Sequence, residues 1–177
     1  MAFPPSGFGI RPAVPSDQSA FIRLYLECWR ETYEGSAPEP FAKGLTEDFC
    51  SRAFTETLSH GDRFLFLAED GGKTVGFVEG GAERSRLHPD LGEIYSLYLL
   101  KDYQGRGLGR GLFQAAVREL ERGGKKSLAV WALEGLAAQG FYEKLGGRVF
   151  ARNHAIPVGS EVLRVRSYVW DPIHNLP

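Results

Sequence analysis

Gly92-Glu93-Ile94-Tyr95-Ser96-Leu97-Tyr98-Leu99-Leu100 runs through Lys101-Asp102-Tyr103 into Gln104-Gly105-Arg106-Gly107-Leu108-Gly109-Arg110. The stretch from Glu93 to Leu100 is β-branched, aromatic and aliphatic, which predicts a buried strand. Beyond it Leu108, Leu112, Phe113, Ala116, Val117 and Leu120 recur at helical spacing, which predicts an amphipathic helix. A glycine turn therefore joins strand to helix. Glycine lets a backbone approach a ligand closely. The first helical turn leaves N–H groups unpaired at the positive end of the helix dipole. Together these make an anion site, most naturally a phosphate site. Arg106 and Arg110 flank it and can add charge-assisted hydrogen bonds to a diphosphate.

Spacing narrows the choice of ligand. The dinucleotide fingerprint Gly-x-Gly-x-x-Gly fails, because its last position falls on Arg110 counted from Gly105 and on Leu112 counted from Gly107. The Gly-Lys-Ser/Thr ending of the nucleoside triphosphate loop is absent. What fits is Gln/Arg-x-x-Gly-x-Gly, carried by Gln104, Gly107 and Gly109. The bland alternative is a glycine-rich turn with no ligand.

The remaining composition excludes several classes. A chain of 177 residues holds one domain with a sizeable core, expected to span 1–177. The formal net charge of -1 gives a nucleic-acid partner no support. No apolar run approaches the ~18–20 residues needed to span a bilayer. Met1-Ala2-Phe3-Pro4-Pro5 lacks a basic region followed by an apolar core, so no signal peptide is expected. Cys28 and Cys50 lie in helical patterns and read as buried reduced thiols of a cytoplasmic protein. His60, His88, His154 and His174 are scattered, and no metal is expected.

In chain order, Phe8 to Ala13 reads as a short first strand. Ser16 or Asp17 then caps a helix with Phe21, Leu24, Tyr25, Cys28, Trp29 and Thr32 on its apolar face. Gly35 to Pro40 reads as a loop, and Thr46 to Leu58 as a second helix. Phe64–Glu69 and Thr74–Glu79 are strands joined by a hairpin turn at Asp70-Gly71-Gly72-Lys73, and Gly80-Gly81 marks a bulge or strand end. Ala82 to Leu91 is a polar loop. Gly123-Gly124 stops the long helix. Ser127 to Ala132 is a strand, Leu136 to Leu145 a helix stopped by Gly146, and Val149 to Ala151 begins another strand. Val162 to Trp170 is the last strand, with Leu163, Val165, Ser167 and Val169 on one face and Arg164, Arg166, Tyr168 and Trp170 on the other. Strands on either side of the long helix call for a parallel crossover pair. The expected fold class is α/β (α+β): a mixed, mostly antiparallel central sheet with a parallel strand 4/strand 5 pair and helices on both faces.

This order, with Gln104-x-x-Gly107-x-Gly109 after strand 4, resembles the GCN5-related N-acetyltransferase (GNAT) superfamily. A second segment agrees: Ala138-Gln139-Gly140-Phe141-Tyr142-Glu143-Lys144-Leu145-Gly146 is similar to the family's Ala-x-x-Phe-Tyr-Glu-Lys-Leu-Gly motif. The two motifs cover about 92–147, the expected coenzyme-binding core. One departure is Gly135, where the family often has Asn. Trp29-Arg30-Glu31-Thr32-Tyr33 resembles bacterial members without naming an acceptor.

The resemblance implies transfer of an acetyl group from acetyl-coenzyme A to a primary amine of a small molecule or peptide. It implies that the pantetheine arm lies along Leu97, Tyr98 and Leu99 between splayed strands. The diphosphate then rests on Gln104, Gly105, Arg106, Gly107, Leu108, Gly109 and Arg110. Tyr142 is the implied acid for the leaving thiolate; its bland alternative is a core tyrosine. Glu93 is the candidate base, against a solvated strand-end carboxylate. Glu79, Glu31 and Glu34 are weaker candidates. Trp29 and Tyr33 are candidate pocket walls, with Trp29 core first. Arg164 and Arg166 read as a solvated strand face. A homodimer through the last strand stays open. The alternative function is a non-catalytic acyl-coenzyme A sensor or interaction module of the same fold.

Overall fold

The computed structural model describes residues 8–86, 88–174 and 176, with backbone alone at 151–153. The signal-peptide reading of the first five residues lies outside the described residues. The elements are β1 (Phe8–Pro12), α1 (Gln18–Tyr33), α2 (Glu39–Ala42), α3 (Glu47–Ser59), β2 (Arg63–Asp70), β3 (Lys73–Ala82), β4 (Leu91–Leu99), α4 (Leu108–Arg122), β5 (Ser127–Leu133), α5 (Ala138–Lys144), β6 (Arg148–Val158) and β7 (Glu161–Trp170). Seven strands form one sheet in the order β1-β2-β3-β4-β5-β7-β6. The pair β4/β5 is parallel. Every other neighbouring pair is antiparallel.

Helices cover both faces, and alternation along β3 shows how. Phe77 points to α1, with its ring 4.9 Å from Phe21 and 4.8 Å from Tyr25. Its neighbour Gly76 points to α4, where an added Cβ would lie 3.4 Å from Leu112. Phe21, Phe77, Leu112 and Phe113 are fully buried. The two aromatic and aliphatic stripes read from the sequence thus became the two layers that sandwich the sheet.

Local chemistry accounts for the connections. Gly71 and Gly72 have φ of 54° and 86°, the left-handed pair that a two-residue hairpin requires. Thr46 caps α3, its hydroxyl accepting from the Phe49 N–H at 3.2 Å. Asp17 stands at the N-cap position of α1 but does not cap it with its side chain. Its carboxylate instead pairs with Arg11 and accepts from the Val14 N–H at 2.8 Å, tying β1 to the helix start.

Several points differ from the sequence reading, three of them boundaries and one a buried face. The loop from Gly35 to Pro40 runs into the one-turn helix α2, because Pro40 is well placed in a first helical turn. Leu91 belongs to β4, where it pairs with Ser127. Helix α5 starts at Ala138, two residues later than expected. Along β7 burial changes face: Leu163, Val165 and Ser167 are buried on one side, then Tyr168 and Trp170 on the other. Tyr168 and Trp170 pack on Tyr142, and Trp170 on Phe113, which is why that face closes.

The glycines Gly80 and Gly81 do mark a bulge. Glu79 pairs with Ser96 but Gly80 pairs with Ile94, so Tyr95 is an extra residue in β4. A Cβ on Gly80 would lie 2.5 Å from the Glu93 carbonyl oxygen and 2.6 Å from the Phe64 ring. We expect Gly80→Ala to cost roughly 1–3 kcal/mol, the range for overpacking. A thermal melt checks this, and an unchanged midpoint shows that the bulge relaxes around the methyl group.

Candidate active site

The parallel pairing of β4 and β5 lasts from Leu91↔Ser127 to Ile94↔Val130 and then stops. Both strands continue, β4 to Leu99 and β5 to Leu133. Past Ile94, β4 keeps β3 as its neighbour on one side and loses β5 on the other. The gap is a cleft of about 620 Å³. Tyr95 to Leu99 form one wall and Val130 to Leu133 the other. Tyr142 and Phe141 of α5 line it, as do Gly105, Gly107, Gly109 and Arg110 of the turn.

One end of the cleft is built for an anion. Gly105 and Gly107 have φ of 73° and 86°, and Gly107 is the N-cap of α4. The Gly111 N–H donates to the Gly107 carbonyl at 3.0 Å, closing the first turn. The amides of Leu108, Gly109 and Arg110 precede that bond and have no carbonyl of their own helix to meet. Gly109 faces Phe141, where a Cβ would lie 3.3 Å from the ring. Gln104 uses its side chain to hold the turn in place, its Nε2 donating to the Leu99 carbonyl at 3.0 Å. Leu108 is fully buried, so only its backbone can face a ligand. Arg106 lies outside the cleft lining, its guanidinium 5.5 Å from the Tyr103 ring. Lys101 and Arg110 are the cations that line the cleft.

Further in stands Tyr142, 5% exposed and packed against Phe141, Tyr168 and Trp170. Burial, with a smaller contribution from nearby Tyr33, pushes its hydroxyl pKa well up. The Tyr33 and Tyr98 hydroxyls share a hydrogen bond of 2.8 Å on the same cleft. Burial also holds both of these tyrosines above the usual phenol range.

Glu93 is not brought to this cleft. It is 2% exposed and still inside the closed region of the sheet, paired with Ala129. Its carboxylate accepts from the Arg84 backbone N–H at 3.0 Å, from Arg84 Nε at 2.9 Å and from Arg84 Nη2. The strands separate only beyond Ile94, too far along β4 for Glu93 to line the opening. Glu31 reaches the cleft, where its carboxylate accepts from the Lys101 N–H at 2.9 Å. Glu34 is an exposed helix end. Trp29 is half-buried with its Nε1 donating to the Ala42 carbonyl at 2.9 Å, so its role is packing. Arg166 is not a free solvated cation: it lies 3.5 Å from Glu134 and 3.6 Å from Glu143. Gly135 has φ of 83°, and its N–H donates to Gln139 Oε1 at 3.2 Å, so the loop is held without an Asn there.

Sequence reasoning missed Ser96, Lys101 and Trp131 as cleft residues. Ser96 carried a signal, the one small hydroxyl residue in a strand of aliphatic and aromatic side chains beyond Glu93. Trp131 carried another, a large aromatic ring in a short strand that stays 41% exposed.

A cleft between separated parallel strands, with a helix N-terminus at one end and a protonated tyrosine within, has the shape of a site for an extended diphosphate-bearing thioester. A model of the acetyltransferase (GNAT) family matches residues 20–147. The chain belongs to the GNAT family. It is accordingly an N-acetyltransferase with acetyl-coenzyme A as the acyl donor. The chain is 29% identical over 136 residues to the uncharacterized N-acetyltransferase YuaI of Bacillus subtilis, covering 76% of each. It is 30% identical over 164 residues to an uncharacterized N-acetyltransferase of Lactobacillus delbrueckii, covering 88% of this chain and 92% of that one. Its fold is similar to that of yncA, a putative acetyltransferase from Salmonella typhimurium solved with acetyl-CoA. That match has a TM-score of 0.74, 21% identity and 94% coverage of both chains. Among the described residues no helix of this GNAT member is long and apolar enough to cross a membrane.

We expect Glu93→Gln to lower stability through loss of its ion pair with Arg84, while the shape of the pH–rate profile stays as in the wild type. Thermal melts and steady-state kinetics against pH check both halves. A lost limb of the profile would return Glu93 to the chemistry.

Proposed function

We propose that this GNAT member, acting as one domain over 1–177, transfers acetyl from acetyl-coenzyme A to a primary amine of a small molecule or peptide by direct attack. The observation that carries the reading is the end of the β4/β5 pairing at Ile94↔Val130, which opens a slot between Tyr142 and the N-terminus of α4.

In this reading the amides from Gly105 to Arg110 hold the diphosphate, with Arg110 and Lys101 supplying charge. The backbone of Leu97, Tyr98 and Leu99, without β5 beside it, pairs with the pantetheine amides as an added strand. The donor supplies a thioester, whose carbonyl oxygen gains negative charge on attack. A β4 amide facing the slot stabilises that charge. Tyr142, which lines the slot and like any phenol is protonated at neutral pH, gives its proton to the departing sulfur. A covalent acyl-enzyme on Cys28 or Cys50 is disfavoured. Both are buried, and burial pushes the Cys50 thiol up to about 11 and the Cys28 thiol further.

Two measurements test this. Gly107→Val forces a β-branched residue into a left-handed conformation, at a cost of roughly 1–2 kcal/mol, in the turn that cradles the diphosphate. Relief of that strain moves the turn's amides away from the diphosphate, and coenzyme A affinity by calorimetry should fall about tenfold or more. Unchanged affinity in a folded variant moves the diphosphate elsewhere. Tyr142→Phe keeps the ring and removes the donor. Thiol release from acetyl-coenzyme A with a responsive amine should slow about 10²-fold with KM for the coenzyme nearly constant. Full turnover would remove Tyr142 from the mechanism.

A further inference from the structure

Two carboxylates, Glu79 and Glu93, are buried among the described residues. Glu93 is matched by three bonds from Arg84. Glu79 is 6% exposed and held by the hydroxyl of Thr57 from α3. A buried carboxylate without a bonded cation is costly to keep. Its position gives it a use. Glu79 stands directly across from Ser96 in the β3/β4 register. Directly opposed residues lie on one face with Cβ atoms about 4.5–5.5 Å apart. Ser96 lines the cleft, and its Oγ shares a 3.1 Å hydrogen bond with the Tyr25 hydroxyl. The register shifts immediately after this pair, where Tyr95 is inserted, and bulges of this kind re-aim side chains beside active sites. Ser96, a small hydroxyl on the cleft wall, thus has a buried carboxylate as its cross-strand neighbour.

We propose that Glu79, acting through the Ser96 hydroxyl, takes the proton that the acceptor amine must lose before it attacks the thioester. The inference rests on the acetyl-transfer reading above and adds the base which that reading lacks. A protonated amine passes a proton to Ser96 Oγ, directly or by one water, as the Ser96 hydroxyl turns from Tyr25 to its cross-strand neighbour and its proton moves to a Glu79 oxygen. The nitrogen lone pair then forms the C–N bond while the C–S bond breaks. The thiolate takes the Tyr142 proton, and the second nitrogen proton returns to Tyr142 through solvent. Glu79 releases its proton to solvent, so one proton appears per turnover. Glu79 is a positioning residue in this scheme, because Ser96 and not Glu79 meets the substrate.

The groups around Glu79 set its proton affinity. Burial raises its pKa most. The Thr57 bond, Arg63 of β2 and Arg84 beyond β3 oppose that, and Glu56 of α3 adds to it. Tyr25 of α1 and Cys50 of α3 also face it, both neutral because their own pKa values are raised. The result is a carboxyl held above the ordinary glutamate range, closer to the pH at which a base is most effective.

The test uses the full chain with Glu79→Gln, Ser96→Ala, Glu79→Asp and the Glu79→Gln/Ser96→Ala double variant. Gln keeps an oxygen for Thr57 and removes the charge. The probe amines are spermidine, lysine, phenethylamine and an unblocked tripeptide, with thiol release as readout. With the fastest of these, Glu79→Gln should lower kcat about 10²-fold, leave KM for acetyl-coenzyme A nearly constant and abolish the acidic limb of the profile. Ser96→Ala should lose as much, the double variant no more than either, and Glu79→Asp should recover a fraction of the rate. A second readout needs no acceptor. With its folded pKa above the unfolded value, Glu79 favours folding below the unfolded pKa and loses that benefit as pH rises through the folded one. The Tm of Glu79→Gln relative to wild type should therefore climb with pH across that window. A wild-type kinetic profile in Glu79→Gln, or a Tm difference constant with pH, overturns the proposal. Coenzyme binding without turnover on any amine, with the Tm difference intact, counts against the acetyl-transfer reading and leaves the placement of Glu79 standing.

Discussion

The rest of the molecule depends on a parallel strand pair that is hydrogen-bonded for four residue pairs and then released. Between Leu91 and Ile94, β4 and β5 are an ordinary interior region of the sheet. Beyond Ile94 the β4 backbone on that side no longer has β5 as its partner and faces the cleft. A bound chain with amides of its own can take that place. The fold thus turns the end of a strand pairing into a slot between strands.

The bulge and the crossover helix act on that slot together. Tyr95 is inserted where β4 begins to separate from β5, and the added residue increases local twist. Helix α4 begins where β4 ends, so its N-terminal amides lie at the mouth of the same opening. The Gln104 side chain bonded to the Leu99 carbonyl joins these two features rigidly. Glycine is needed at Gly105 and Gly107 for a backbone reason, the left-handed conformation, as well as for space around a ligand.

The two buried carboxylates differ in their bonded partners. Glu93 sits in the closed sheet, where an uncompensated charge would be costly, and Arg84 neutralises it. Glu79 sits one strand away beside the bulge, with a hydroxyl as its bonded partner. The tyrosines Tyr33, Tyr98 and Tyr142 are kept neutral by burial around the same opening. A cleft lined by neutral hydroxyls with cations at one end favours a donor whose charge is confined to its phosphates.

The sequence by itself determined the order of the strands and long helices, the parallel pair, the helices on both faces and the glycine turn that opens α4, because these follow from local periodicity, glycine placement and the spacing of Gln104, Gly107 and Gly109. It also placed Tyr142 in the site, through a motif contained within one helix. The tertiary structure alone decided which carboxylates are buried, what each is bonded to, and that Glu31 rather than Glu93 lines the cleft. Glu93 and Glu79 look alike as acidic residues in apolar strands. Their difference lies in where β4 separates from β5 and which strand partner each one faces, and that is a matter of register between segments distant in the chain. Arg84 belongs to a polar loop by composition, and only folding brings it onto Glu93. Ser96, Lys101 and Trp131 become cleft residues for the same reason: a side chain's neighbours across a sheet are set by pairing, which local pattern does not encode.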